Sequence, residues 1–359
     1  MTKIWLVLVL LGMVSRVEAK PMSKVVQITV DNGLINGNIH QIVQDREGFV
    51  WIATENGLVR YDGFYYKVFQ TRPNDVHSIS HNFVNSVNTF DGLHIWIGTM
   101  SGLDCYNPVS GEFEHYHFYD VLGKVNMKPA LRVFPVLDGC YVQTDDKYVY
   151  FAERGNDTLR IVSADNVESN SFVSSIDLID SDRIAVGNKE GQVYFLSHDG
   201  STNFIARKSA AVTVVKYLEA NRLCVCYADG LIEIYNNNVL ASSYRLRNLE
   251  DTFVNDVEQI SDSVLWLGMR SLGIFELQLN ATPKPVEMPH LINKNCNTVY
   301  KDSFGNVWIG HSFGGVTVRL SQTFDLEGNG CFADQIKTQK VLSIIQKAGK
   351  TYAGLITRK

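Results

Sequence analysis

Between Asn38 and Phe69, short apolar runs alternate with tight polar turns. Ile39–Gln44, Phe49–Thr54, Leu58–Tyr61 and Phe64–Phe69 read as four strands, separated by Asp45-Arg46-Glu47-Gly48, Glu55-Asn56-Gly57 and Asp62-Gly63. Asn-Gly between apolar runs is a strong hairpin signal. A lone antiparallel sheet with one wet face alternates apolar and polar residues, yet FVWIA does not. Such strands need packing partners on both faces.

The unit recurs. Taking Ala53 as an anchor in the second strand, the same place returns at Gly98, Gln143, Gly187, Cys226, Gly268, Gly310 and Gly354, at intervals of 45, 45, 44, 39, 42, 42 and 44 residues. Trp51, Trp96, Trp266 and Trp308 each stand two residues before an anchor. Asp45, Gly48 and Trp51 share their spacing with Asp302, Gly305 and Trp308. The Asp suits a turn cap, and the Gly supplies a positive φ where the turn needs one. Gly57 opens a third strand, GLVRY, whose pattern recurs as GLDCY, GQVYF, GLIEI, GIFEL and GVTVR. A period of about 42–45 with four strands per unit is the mark of a β-propeller.

The expected fold is therefore all-β, a seven-bladed β-propeller of four-stranded antiparallel blades over residues 20–320. The units fall at about 38–70, 82–118, 130–163, 171–207, 210–246, 252–288 and 296–320. The seventh lacks a visible fourth strand, and Val25–Val30 (VVQITV) lacks partners, so the N-terminal strand is expected to close the ring. Residues 321–359 read as a linker and the first strands, Val341 to Gly354, of a further blade or second propeller, the second propeller being favoured.

Lys3, the apolar run Ile4 to Val14 and the small-residue site Val17-Glu18-Ala19 mark residues 1–19 as a secretory signal peptide. The run falls short of the roughly 20 residues of a membrane span. An exported chain is expected, periplasmic if bacterial. A net charge of −5 offers no basic excess for nucleic acid or an anionic membrane. The six cysteines are irregularly spaced, and Cys224 and Cys226 share one strand face. They read mostly as small buried hydrophobes rather than a zinc set.

The stretch Gly33-Leu34 through Gly63, with its Gln-Asp-x-x-Gly-Phe-x-Trp-Ile-Ala-Thr strand and Asn-Gly-Leu-x-Arg-Tyr-Asp-Gly hairpin, resembles the regulator-propeller repeat. Gly314-Gly315 after Trp308-Ile309-Gly310 fits a variant of the same repeat. That repeat belongs to the periplasmic sensor region of bacterial hybrid two-component systems. The resemblance implies two seven-bladed propellers and a small β-sandwich, then a membrane helix, histidine kinase, receiver and DNA-binding domain. It implies an oligosaccharide ligand, and as protein partners the rest of the sensor ectodomain, with a homodimer as one arrangement. Kinase, receiver and helix-turn-helix motifs are absent from this sequence. The chain therefore reads as a sensing input piece, not an enzyme, attached to a membrane only through C-terminal parts it lacks.

No cofactor or metal is expected, and no catalytic set stands out: there is no Gly-x-Ser-x-Gly, His-Glu-x-x-His or phosphate loop. A glycan-cleaving propeller would need two carboxyl groups roughly 5–10 Å apart, and a protein-docking scaffold is a third reading. The Asp-box of propeller sialidases differs by one residue from KDSFGNVW. Ligand is expected at the ring face built from loops between second and third strands and between blades. Those loops hold Glu55, Met100, Arg270, His311 and Phe313, and Arg72, His77, His81 and Arg132. The binding candidates are Arg72, His81, Arg132, Arg270, His311 and Phe313. The guanidinium fork suits carboxylated or sulfated sugars, and Phe313 suits stacking on a sugar ring.

Overall fold

The computed structural model describes residues 25–92, 94–119, 124–162, 171–246, 253–279, 284–285, 295–321, 340–347 and 350–356. The signal-peptide expectation on residues 1–19, and most of the expected linker after 320, lie outside them. Within them the chain forms seven four-stranded antiparallel blades. Each blade runs from an inner strand beside the ring axis to an outer strand at the rim. The inner strands are Ile39–Gln44, Val84–Asn88, Arg132–Val136, Val173–Leu178, Val212–Leu218, Val254–Ser261 and Cys296–Lys301, for blades one to seven in turn. Each packs against the next, and the inner strand of blade seven packs against that of blade one. The three middle units, which carry no tryptophan, are complete blades.

Closure follows the expected route. Val25–Ile28 pairs antiparallel with Val316–Arg319 and forms the outer strand of blade seven, with Val26 opposite Val318 and Ile28 opposite Val316. Lys340–Lys347 and Lys350–Ile356 pair with each other as a hairpin.

Second strands explain why FVWIA does not alternate. Val50–Thr54, Ile95–Thr99, Gly139–Gln143 and Val307–His311 are buried at every position. Successive residues serve opposite interfaces: Ile52 packs towards blade seven and Trp51 towards blade two. Apolar clusters fill all seven blade–blade interfaces. The anchor glycines lie where neighbouring blades meet most closely. A Cβ on Gly310 would come within 2.6 Å of Ile39 Cγ2, and one on Gly268 within 2.7 Å of Cys296 Sγ. Glycine stands at these two anchors because the next blade's inner strand occupies the space.

The Asp-x-x-Gly-x-x-Trp spacing also acquires a mechanism. Asp45 Oδ1 accepts from the N–H groups of Glu47 and Phe49, both at 3.0 Å, while Oδ2 accepts from the indole N–H of Trp51 at 2.7 Å. Asp302 repeats this with Phe304, Asn306 and Trp308 at 2.9, 2.8 and 2.8 Å. One carboxylate thus shapes the turn and satisfies the buried ring nitrogen. Gly48 and Gly305 hold φ of +91° and +78°, a region that a side chain would strain.

An inner strand pairs on one edge only, so its channel edge must be satisfied otherwise. Side chains of the preceding blade do this. Asn85 Nδ2 donates to Ala130 O at 3.1 Å, Asn255 Nδ2 to Cys296 O at 2.8 Å, and Asn297 Nδ2 to Ile39 O at 2.9 Å. Deeper in the channel, Val215 N–H donates to Ser175 Oγ at 3.0 Å, Tyr217 N–H to Asp177 Oδ2 at 2.6 Å, and Val299 N–H to Asp256 Oδ2 at 2.9 Å.

Candidate functional site: the channel and its mouth

The inner strands stack their side chains in layers around the axis. Counting along each strand, second positions form the mouth: His40, Asn85, Ser174, Thr213, Asn255 and Asn297. Fifth positions form a deeper layer, where Asp177, Lys216 and Glu258 come from three consecutive blades and Tyr300 from the next. They line a cavity of about 260 Å³ together with Arg132, Gln143 and Asp256.

The deep layer is electrostatically coupled. Lys216 Nζ lies 3.7 Å from Glu258 Oε2. Burial opposes the ammonium, but Asp177, Glu258 and Asp256 outweigh it and raise the Lys216 pKa above its ordinary value. Burial pushes the Glu258 carboxyl up to about 7, against the pull of Lys216 and with the help of Asp256. Asp177 is raised for the same first reason, with Lys216 opposing. Asp256 is occupied structurally: beyond Val299 N–H, it accepts from Thr298 Oγ1 and Val257 N–H, both at 2.9 Å.

The expected binding residues are spread over four blades or connections. Arg72, in the connection from blade one to blade two, forms an ion pair with Asp75 at 2.7 Å. His81 Nδ1, in the same connection, accepts from Phe83 N–H at 2.8 Å. Arg132 stands in the channel wall. Arg270 lies over the Phe253 ring at 5.4 Å. Phe313 is 68% exposed on the loop of blade seven.

His311 is placed differently from the sequence expectation. It ends the second strand of blade seven rather than standing in the loop. It is 1% exposed and its Nε2 meets Thr317 Oγ1 at 2.7 Å. The residue after the anchor is buried in every blade: Thr54, Thr99, Thr144, Asn188, Tyr227, Met269 and His311. Loops begin one residue later, a register readable from Thr54 and Thr99.

Two further polar clusters are paired locally. His115 Nδ1 meets Asp104 Oδ1 at 2.7 Å and its Nε2 meets Val76 O at 2.9 Å. Asp146 accepts from Lys128 Nζ at 2.6 Å and Tyr150 Oη at 2.7 Å. Cys105, Cys140, Cys224, Cys226 and Cys296 are buried and unbridged. Sequence reasoning missed the Asp177–Lys216–Glu258 layer. Its signal was available, since all three occupy the fifth position of the inner strands in units four, five and six.

The mouth end also carries aromatic rings with cations over them. Lys147 Nζ lies 5.2 Å from the Tyr148 ring and Lys189 Nζ 5.1 Å from Phe172, beside Arg270 on Phe253. At the opposite end, a cavity of about 490 Å³ between blades three and four is lined by Asp138, Glu153, Arg160, Asp182 and His198, with Phe151.

These features define a closed seven-bladed propeller with a polar channel and an aromatic, cationic mouth. Its first unit carries the repeat: residues 33–56 match the two component regulator propeller model. Two extracellular domains of hybrid two component systems from B. thetaiotaomicron share the fold. One is 20% identical over 92% of this chain and 46% of its own, with a TM-score of 0.69. The other is 15% identical over 84% of this chain and 40% of its own, with a TM-score of 0.67. A streptogramin B lyase structure is 11% identical over 82% of this chain and 96% of its own, with a TM-score of 0.66. At these identities the likeness is one of fold, which serves sensing and catalysis alike. The chain spans less than half the length of the two extracellular domains it matches. No curated protein matches it by sequence. Among the described residues no helix is long and apolar enough to cross a membrane.

Proposed function

We propose that this chain is the sensing input part of a hybrid two-component receptor, exposed outside the cytoplasm, and that it binds an oligosaccharide on the mouth face of the ring. The observation that carries this is the placement of Tyr148, Phe172 and Phe253, each with a cation over its ring, in loops at the mouth end of a ring with a polar channel. Aromatic faces with nearby hydrogen-bonding groups are what a sugar ring uses. The regulator-propeller match and the two extracellular sensor domains of similar fold support the reading. The remainder of such a receptor's ectodomain would be its protein partner.

Calorimetric titration of the purified chain with a panel of neutral and uronate-bearing oligosaccharides tests this. At least one member binds, and Tyr148→Ala or Phe172→Ala weakens it about tenfold, as loss of a stacking contact worth ~1 kcal/mol or more demands. Binding of none, or of one untouched by both variants, rejects the mouth-face assignment.

A further inference from the structure

One side of the channel mouth presents hydrogen-bond acceptors. Gln143 is 4% exposed and lines the cavity. Its Nε2 donates to Val173 O at 3.4 Å, which fixes the amide orientation, and its Oε1 is buried without a partner. Ser174 Oγ donates to Gly187 O at 3.1 Å and Thr213 Oγ1 donates to Cys226 O at 3.2 Å. Asn255 Nδ2 donates to Cys296 O at 2.8 Å. All four side chains line one cavity, and each directs a donor to backbone. The two hydroxyls are left with lone pairs to offer, and the Asn255 amide keeps one N–H besides its oxygen.

Gln143 Oε1 is shut from solvent beside Val173, so the acceptors open to a ligand are those of Ser174, Thr213 and Asn255. An anion is a poor candidate. It would face those lone pairs, and beneath them three carboxylates, Asp177, Asp256 and Glu258, against the cations Lys216 and Arg132. A ligand rich in O–H donors suits the lining, with Arg132 donating to one of its neutral oxygens. The cavity of about 260 Å³ is below the ~300 Å³ lower bound of drug-sized pockets, which limits entry to about one ring.

We propose that the channel mouth is a subsite for one neutral, polyhydroxylated sugar ring at the end of an oligosaccharide, whose hydroxyls donate to Ser174, Thr213 and Asn255. It rests on the oligosaccharide reading above and narrows it. It also reverses the sequence-based preference for acidic sugars at Arg132.

The test uses matched oligosaccharide pairs that differ only in whether the terminal ring carries a CH₂OH or a carboxylate. The intact purified chain is titrated with each member. The neutral members are expected to bind at least tenfold more tightly than their uronates. Ser174→Ala removes an acceptor at a half-buried lining position and should weaken the neutral sugar about tenfold. Thr213→Val provides a second check and should weaken it severalfold. Preference for the uronates, or affinity unchanged in both folded variants, overturns the subsite while leaving oligosaccharide binding intact. Binding of no member of any pair overturns both readings.

Discussion

Blades six and seven are neighbours built on the same second-strand tryptophan, yet they satisfy it differently. In blade seven the Trp308 indole N–H reaches Asp302 across the turn. In blade six the residue six before Trp266 is Ile260, and the inner strand continues to Ser261, opposite Val264. That tighter hairpin leaves no carboxylate at the capping position. Trp266 Nε1 is buried without a hydrogen-bond partner, while Arg319 of blade seven stacks on its ring at 4.9 Å. The apolar payload of the ring is therefore what the position requires, and the Asp cap is an addition that a longer turn permits. Blade seven is also composite, since its outer strand comes from the other end of the chain.

The composite edge should be the most sensitive point. Ile28 is 3% exposed in the cluster between blades seven and one. Ile28→Asp is expected to cost roughly 4 kcal/mol by placing a charge in that core. A denaturation midpoint close to that of the unaltered chain would show that the N-terminal strand is dispensable for closure.

His311 gives blade seven a pH dependence. Burial holds its imidazole at about 4, below the ordinary 6.5. As pH falls below 6.5, the unfolded chain takes up this proton first, so its contribution to stability declines until about pH 4, by up to about 3 kcal/mol. Glu258 acts oppositely: its carboxyl, held up to about 7 from an ordinary 4.5, lets the folded chain protonate first and gain stability over the same descent. The measurement is therefore the difference between the unaltered chain and His311→Gln. The variant should gain relative stability between pH 7 and pH 4.5, and parallel curves would remove His311 from the account.

The smallest effect separates the two tryptophans directly. Trp308→Phe loses a buried hydrogen bond, whereas Trp266→Phe removes a donor that has none. The first should cost about 1 kcal/mol more than the second by chemical denaturation. Equal losses would mean that the Asp302 bond contributes nothing net.

The repeat made the fold legible. Hydrophobic periodicity survives translation into structure because every second strand meets the same two-sided burial, and Val25–Val30 was recognisable as a strand in want of a partner. The mouth was less legible. Arg132 could be placed by counting, but His311 needed a register correction of one residue. Which Gln143 atom lacks a partner depends on where Val173 O lies, and that is a fact of three dimensions. The Asp177–Lys216–Glu258 layer falls between these cases. Its residues share a strand position, but their charges meet only because consecutive inner strands stand side by side.

The strand that completes blade seven is the first made and the last to find its partner. Gln27 and Thr317, hydrogen-bonded at 3.0 Å, lie 290 residues apart. At ~5–20 residues per second of synthesis, Val25–Ile28 waits roughly 15–60 s before Val316–Arg319 exists. For that interval six blades' worth of chain has no closing contact, and one sheet edge stands open at each end. Closure of the ring is thus left to the last of its seven blades.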